Sequence, residues 1–113
     1  MTTGQNTPSL PLTGIRVMDV THIVAGPFCS MILADMGAEV IRVSGGDRAR
    51  IFDTRRLRGD KEEPEGFSHS SIMRNRLGLS LDISKSDGAD MVKKLVGLSD
   101  ILIENSTPQT FPK

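Results

Sequence analysis

The sequence predicts an α/β fold in which a parallel sheet is flanked by helices. Three observations support this prediction. Four short runs have the length and residue types of strands, two longer apolar patterns have the period of helices, and short links join the first strand, helix and strand. A strand–helix–strand unit of this kind is expected to be parallel and right-handed. The length of 113 residues allows one small domain.

The first strand follows a polar lead, residues 1–13, in which Pro8 and Pro11 interrupt regular structure, so we expect this lead to be flexible. Residues 14–21 form a short apolar run that is rich in β-branched side chains and begins with a glycine. This run predicts a buried strand. We assign residues 14–113 to one partial α/β domain.

The first helix is predicted to start at Pro27, because a proline at the first helical position has no N–H to leave unpaired. Residues 28–36 are apolar nearly all round, broken only by Ser30 and Asp35, and this predicts a helix that is buried on most sides. Gly37 is a suitable stop, since glycine readily adopts the left-handed backbone that ends a helix. The second strand is predicted at residues 39–43.

Residues 44–76 form a long charged loop in the predicted fold. Glycine and proline interrupt the segment, and acidic and basic side chains dominate it. About thirty residues without clear structure is long for a compact domain, so we expect the loop to be functional, mobile or packed on a partner.

The second half of the chain continues the alternation of strands and helices. Residues 77–83 alternate apolar and polar side chains and predict a third strand, and residues 100–104 predict a fourth. Between them, Ser84 or Ser86 is the expected cap of a helix that has Asp87 in its first turn. An apolar stripe is expected at Ala89, Val92, Leu95 and Val96, and a solvated face at Asp90, Lys93 and Lys94.

Composition argues against several classes of partner and site. Fourteen basic residues balance fourteen acidic ones, so no global field attracts nucleic acid or an anionic membrane. The single cysteine, Cys29, excludes an internal disulfide, and the two histidines are too isolated to predict a metal site. We find neither a secretory signal nor an apolar run that is long enough to span a bilayer, and we therefore expect a cytoplasmic protein.

The turn after the first strand, residues 21–27, is the first candidate for a ligand site. In open α/β sheets ligands bind at the carboxyl ends of strands, and a helix N-terminus there offers N–H groups to an anion. The alternative is a tight link without a ligand, and the sequence has neither a Gly-x-Gly-x-x-Gly nor a Walker-type motif. His22 in this turn fits a structural hydrogen-bonding role or, with a substrate in reach, acid–base chemistry.

Two more positions are candidates for ligand contacts. Arg74 and Arg76 flank Asn75 just before the third strand, and guanidinium groups are suited to binding phosphates. Asn105 follows the fourth strand at its carboxyl end, where an asparagine either caps a turn or donates to a ligand. The residues alone leave both alternatives open.

Five segments in the same order resemble the family III CoA-transferases, which include formyl-CoA and carnitine CoA-transferases and the α-methylacyl-CoA racemases. The most specific is Ala-Gly-Pro-Phe at 25–28 followed by Leu-Ala-Asp-Met-Gly-Ala-Glu-Val-Ile-Arg-Val at 33–43. The others lie at residues 11–21, 45–50, 74–82 and 100–105. The resemblance implies a Rossmann-like sheet within a larger fold that forms interlocked dimers.

The family resemblance also implies the ligand and the reaction. Coenzyme A would lie across this domain, and an aspartate nucleophile would carry the transfer of CoA between an acyl-CoA and a carboxylic acid. That aspartate is expected beyond Lys113, so no residue of this chain is assigned a catalytic role, and no metal is expected. The CoA-contacting residues implied by the resemblance are His22, Val24, Arg42, Ser44, Gly45, Arg76, Asn105, Ser106 and Lys113.

The sequence departs from the family pattern at several of these positions. Ser44 stands where an acid is expected, Leu77 where a second basic residue is expected, and Ser106 where an aromatic residue is expected. Many transferases have a glutamine or a small residue in place of Val24. These departures support an alternative in which the chain is a non-catalytic dimerisation partner or a decayed paralogue.

The resemblance favours a transferase over a racemase, because the loop at 44–76 is similar in length to that of transferases and racemases tend to be shorter there. A racemase fragment remains the second enzyme alternative. The chain stops just past a strand with no closing helix, and a parallel sheet normally has cover on both faces. We therefore expect a partial polypeptide that works as a homodimer or with a complementary chain.

Overall fold

Four strands and two helices make up the described part of the chain. The computed structural model describes residues 9–22, 24–45 and 72–108, so most of the long charged loop, and Lys113, lie outside the described residues. In chain order the elements are β1 (Arg16–Asp19), α1 (Ala25–Asp35), β2 (Glu39–Ser44), β3 (Arg76–Ser80), α2 (Ser86–Gly97) and β4 (Ile101–Ile103).

The strands form one parallel sheet in the order β3-β2-β1-β4. Asp19 of β1 pairs with Arg42 of β2 on one side and with Ile103 of β4 on the other. Arg42 in turn lies opposite Gly78 of β3. The predicted α/β class with a parallel sheet and flanking helices is confirmed, and the register brings the ends of β1 and β2 side by side.

Each face of the sheet has its own core. Val17 and Val40 pack with Ala34 and Ala38 on the face that α1 covers. Met18, Val20 and Val43 pack with Val92 of α2 on the other face. Because successive strand residues point to opposite faces, Asp19 falls on the α1 face between two residues of the α2 face, and this places a carboxylate under α1.

The helix boundaries differ slightly from the predicted ones. α1 begins at Ala25, so Pro27 occupies its third position instead of its first. Proline is tolerated there because the first four N–H groups of a helix have no partner within it. Gly37 ends the turn after α1 at φ +102°, as predicted, and a side chain at this position would come within 2.5 Å of the Cβ of Leu10.

The second half of the chain contains two corrections. β3 runs over Arg76–Ser80 and not over residues 77–83, because the chain turns after Leu81, whose N–H donates to the Ser44 carbonyl at 2.9 Å. The predicted cap of α2 was wrong: the N-cap is Lys85, without a side-chain cap. Ser84 instead donates its hydroxyl to Asp82 at 2.6 Å. The stripe on α2 is confirmed, with Val92 buried.

The prediction that α1 is buried on most sides was wrong for the described residues. Its inner face packs on the sheet, but Phe28, Ile32 and Met36 on its outer face are between 40% and 49% exposed. The described elements cover only one side of this helix. None of the helices in residues 9–22, 24–45 and 72–108 is long and apolar enough to cross a membrane.

Candidate functional site

A buried carboxylate is the centre of a polar cluster on the α1 face. Asp19 is fully buried, and its Oδ2 accepts hydrogen bonds from Ser30 Oγ at 2.5 Å, from Arg42 Nη1 at 3.1 Å and from Arg76 Nη1 at 2.9 Å. Its Oδ1 accepts from the N–H and the hydroxyl of Thr21 at 2.9 and 2.5 Å. We call these five residues the Asp19 cluster.

Strand register and helix position together assemble the Asp19 cluster. Asp19 and Arg42 are direct neighbours across β1 and β2. Arg76 lies on the same face of β3, two residues before the partner of Arg42, and Ser30 projects from α1 above them. Each member therefore comes from a different element, except for Thr21, which lies two residues after the end of β1.

The hydrogen bonds decide the charge state of Asp19. Burial alone raises the pKa of this carboxyl, but the bonds from Ser30 and Thr21 and the charge of Arg42 outweigh it and hold the pKa below its usual value of 3.8. Asp19 is therefore ionised at neutral pH. Burial lowers the pKa of Arg76, against the opposing charge of Asp19, and an arginine stays charged at neutral pH all the same.

The two arginines of the cluster differ in exposure. The side chain of Arg76 is 2% exposed, and its Nη2 donates to the carbonyl of Ile72 and to Met73 Sδ. Its Nε is buried and has no partner among the described groups. The side chain of Arg42 is 17% exposed. Arg42 is therefore the guanidinium through which this cluster reaches the surface.

Two guanidinium groups share one carboxylate in the Asp19 cluster, so the cluster, as far as the described residues show it, has one excess positive charge. Excess charge in a partly buried site is costly unless a counter-charge balances it. An anionic ligand at Arg42 would supply that counter-charge. The cluster can therefore attract an anion without any Gly-rich phosphate loop.

The carboxyl end of β4 is joined to the turn after β1 by one side chain. Asn105 accepts a hydrogen bond from the His22 N–H at 2.9 Å and donates its Nδ2 to the His22 carbonyl at 2.8 Å. Asn105 therefore caps the turn at His22, and the second N–H of its amide leaves the alternative of donation to a ligand open. Next to it, the N–H of Ser106 donates to Glu104 Oε2 at 2.9 Å.

Close backbone packing shapes the rest of this edge. The first turn of α1 approaches β1 so closely that a Cβ at Gly26 would lie 2.2 Å from the Cβ of Thr21. Gly45, after β2, has φ +145°, and a Cβ there would lie 2.9 Å from the carbonyl oxygen of Leu81. Small residues are therefore needed at both positions.

The structure places most of the predicted contact residues along one edge. Six lie at or just after the carboxyl ends of β1, β2 and β4 or cap the start of α1, namely His22, Val24, Ser44, Gly45, Asn105 and Ser106. Arg42 and Arg76 belong to the Asp19 cluster on the α1 face, and Lys113 is not described. The described residues contain no group of three His, Cys, Asp or Glu side chains that could hold a metal ion.

Sequence reasoning missed Asp19 and Ser30 as site residues, and it included Thr21 only as part of the turn at 21–27. A signal was available, since Asp19 lies in an apolar strand run and Ser30 in an apolar helix run, two elements that were expected to pack together. A separate cleft of about 410 Å³ lies at the amino end of the sheet, beside Arg16 and Glu39. These two residues form an ion pair of 2.5 Å there, away from the predicted contact residues.

The chain is similar to curated proteins over nearly its whole length. It is 41% identical over 113 residues to the succinyl-CoA–L-malate CoA-transferase alpha subunit of Chloroflexus aurantiacus, covering 97% of this chain and 26% of the relative. The beta subunit is 39% identical over 110 residues, with coverages of 95% and 26%. The succinyl-CoA:glutarate CoA-transferase of Mus musculus is 37% identical over 101 residues, with coverages of 87% and 22%. The chain spans about a quarter of the length of these relatives.

Solved structures share the fold. The orthorhombic crystal form of Rv3272 from M. tuberculosis has a TM-score of 0.70 and 27% identity, covering 91% of this chain and 26% of that one. A CAIB/BAIF family protein from Brucella suis has a TM-score of 0.66 and 28% identity, with coverages of 87% and 26%. The pattern of one family, CoA-transferase family III, matches residues 12–113. The chain therefore belongs to CoA-transferase family III.

Proposed function

We propose that this chain is the CoA-binding segment of an enzyme that moves CoA between an acyl-CoA and a carboxylic acid. One observation carries the proposal. The Asp19 cluster has an excess positive charge, and its more exposed guanidinium, Arg42, lies beside the carboxyl edge of a parallel sheet. CoA is an anionic ligand with several phosphate groups, and it matches both the charge and the position.

The proposed contacts follow the edge of the sheet. Arg42, Ser44 and Gly45 receive the adenine and the ribose phosphate, since they lie near the end of β2 and directly after it, at the carboxyl edge of the sheet. His22 and Val24 stand at the mouth of the site, and Asn105 and Ser106 border the pantetheine or the nucleotide. The proposal keeps a phosphate contact for Lys113, whereas Arg76, whose side chain is 2% exposed, acts on the phosphates through its charge.

The Asp19 carboxylate does not fit the role of the nucleophile. It is fully buried, and both of its oxygens accept hydrogen bonds from residues of the cluster. A nucleophile must reach the acyl group of the substrate. In our proposal Asp19 orients the two arginines, this chain binds and positions CoA, and the nucleophilic aspartate belongs to polypeptide beyond Lys113.

The names of the relatives suggest the substrate class. The relatives from Chloroflexus aurantiacus and Mus musculus both take their names from succinyl-CoA paired with a dicarboxylic acid, malate or glutarate. We propose succinyl-CoA as the donor for the assembled enzyme and a dicarboxylic acid as the acceptor.

Titration calorimetry with CoA tests the proposal. We expect the chain to bind CoA, and we expect Arg42→Ala to weaken binding at least about tenfold, the effect of losing a charge-assisted hydrogen bond of roughly 1.4 kcal/mol. The matched control is Arg16→Ala, an arginine of the same sheet at its amino end, which should bind CoA like the wild type. Dephospho-CoA should bind more weakly than CoA if Arg42 contacts the ribose phosphate.

Absence of CoA binding by the chain, both alone and together with a complementary polypeptide, would sink the proposal. The departures at Ser44, Leu77 and Ser106 favour a second candidate, a non-catalytic partner that only supports a dimer. Sedimentation distinguishes the two, because a stable assembly whose formation and stability ignore CoA belongs to the second candidate.

A further inference from the structure

The pairing between β1 and β4 continues past the ends of both strands. The last paired residues are Asp19 and Ile103, and the next bond runs from the Val20 N–H to the Ile103 carbonyl at 3.1 Å. Bonds of this kind recur at every second residue of a parallel ladder, so the following one would join the His22 N–H to the backbone carbonyl of Asn105. In the structure the side-chain Oδ1 of Asn105 accepts that bond instead, at 2.9 Å.

A single side-chain amide holds both backbone groups of His22. Besides accepting from the N–H, Asn105 donates its Nδ2 to the His22 carbonyl at 2.8 Å. Two bonds to one residue fix the orientation of its backbone as well as its position, whereas one bond leaves it free to rotate. The amide of an asparagine has the same donor and acceptor as a peptide group, so it can replace the strand residue that β4 no longer provides.

The turn between β1 and α1 is held differently at its two ends. Thr21 is buried, and its N–H and hydroxyl both donate to Asp19. Val24 is 56% exposed and is the N-cap of α1, and no side chain among the described residues caps this end of the helix. Asn105 follows a different strand, so its two bonds to His22 anchor the turn from outside, between the fixed end and the exposed end.

These contacts give Asn105 a role that acts through another residue. We propose that Asn105 is a positioning residue, which holds the turn at His22 in the conformation that receives the ligand. His22 and Val24, and not the Asn105 side chain, then meet the ligand. This inference rests on the proposed function, in which both residues stand at the mouth of the CoA site. It differs from the role that the family resemblance implies, in which Asn105 contacts CoA itself.

Few side chains can meet the requirements of this role. Aspartate at position 105 would keep the oxygen that accepts from the His22 N–H, but it would have no N–H to donate to the carbonyl. Glutamine would keep both groups and hold them one methylene farther from the backbone. Alanine would keep neither. We therefore expect one bond to survive in Asn105→Asp and both to be lost in Asn105→Ala and Asn105→Gln.

Nuclear magnetic resonance of the chain without ligand tests the link to His22. Asn105→Ala should shift the backbone amide resonances of His22 and Val24 and leave those of Val17 and Val40 in place, since these two lie in the core under α1. In Asn105→Asp the remaining bond should keep the His22 resonance between those of the alanine variant and the wild type. An alanine variant in which the His22 resonance does not move overturns the proposal.

Titration calorimetry with CoA tests the link to the ligand site. Asn105→Ala should weaken CoA binding at least about tenfold, because affinity falls with the fraction of chains whose turn is already in the binding conformation. The matched control is Asn75→Gly, which removes the other described asparagine amide, a donor to Asp35 just before the amino end of β3. Glycine accepts the φ of +60° at this position. This control should bind CoA like the wild type.

The side-chain amide protons of Asn105 distinguish positioning from direct contact. When CoA is added to the wild type, the backbone amides of His22 and Val24 should shift. The NH₂ resonances of Asn105 should stay in place, because both bonds to His22 persist. A shift of the NH₂ resonances without one at His22 would show donation to the ligand and overturn the proposal. An Asn105→Ala variant that binds CoA as tightly as the wild type also overturns it.

The two measurements separate this inference from the proposed function. A wild type that binds no CoA overturns the proposed function and the ligand role of Asn105 with it, whereas the spectra without ligand still decide whether Asn105 positions His22. If Asn105→Ala does not fold, Asn105→Gln takes its place in both measurements, because its longer side chain misplaces both groups without removing them.

Discussion

The two helices lie on opposite faces of one sheet and are built in opposite ways. α1 covers the charged Asp19 cluster with its first half and presents an apolar outer face. α2 covers an apolar core of Met18, Val20 and Val43 and presents charged residues on its outer face. α2 has the charged outer side of a surface helix, whereas α1 covers the Asp19 cluster with its inner side and exposes apolar side chains on its outer side.

This difference shows what each face of the sheet contributes. The α2 face supplies stability through ordinary apolar burial, about 25 cal/mol per Å². The α1 face places an ion cluster where an apolar core would serve stability equally well, and buried ion pairs seldom stabilise more than their apolar replacements. An ion cluster that adds little stability is consistent with the proposal that this face of the sheet binds a ligand.

Removing the carboxylate should have the largest effect on the α1 face. Asp19→Ala leaves two guanidinium groups without their partner, and we expect it to lower the free energy of unfolding by about 3–5 kcal/mol. Urea denaturation followed by circular dichroism measures the change. Asp35→Ala is the control, because it also removes a carboxylate that binds an arginine, but an exposed one, and its loss should be much smaller. Equal losses would contradict the importance of burial.

Filling the contact between α1 and β1 should have the next largest effect. In Gly26→Ala the new Cβ would collide with the side chain of Thr21, and overpacking of this kind costs about 1–3 kcal/mol. The control on the other helix is Gly97→Ala, since a Cβ at that position would meet nothing within 4 Å. The control should leave stability unchanged or raise it slightly. A neutral Gly26→Ala would show that the approach of α1 to Thr21 is looser than described.

The third effect is confined to acid and comes from the protonation of Asp19. Its pKa in the folded chain lies below the usual 3.8, so its contribution is complete above about pH 5 and is lost as the pH falls through the folded pKa. Urea unfolding of the wild type and Asp19→Asn between about pH 6 and pH 2 should show the gap closing in acid. Asp35→Asn is the control, because hydrogen bonds from Arg74 also lower the pKa of the Asp35 carboxyl. The stability that this variant loses is subtracted. A gap that stays constant would contradict an ionised Asp19.

Much of the fold followed from local patterns. The β-branched run that includes Val17 and Met18, and the stripe that includes Val92, each have a period that determines the element. The parallel pairing of β1 with β2 could be predicted because short links join both strands to α1. The cap of α2 and the limits of β3 could not, because they depend on a turn in which Asp82 competes for the hydrogen bonds of Ser84.

The candidate site was less accessible to sequence reasoning. Its edge residues could be placed from the ends of the strands and the family resemblance. The Asp19 cluster could not, because Asp19 and Arg76 are 57 residues apart and only the register of three strands brings them together. The exposed face of α1 was equally hidden, since an apolar helix looks the same in a sequence whether or not its cover is present.

The hydrogen bonds between Asn105 and His22 make the lifetime of the carboxyl edge of the sheet depend on β4, the shortest of the described strands. β4 pairs with β1 over three residues only, Ile101 to Ile103. Each time β4 separates from β1, Asn105 is carried away and the turn at His22 loses both of its amide contacts. Local opening of these three residues therefore determines the lifetime of the carboxyl edge. In hydrogen exchange, the His22 amide should exchange at the rate of the β4 amides and not at that of the β1 amides.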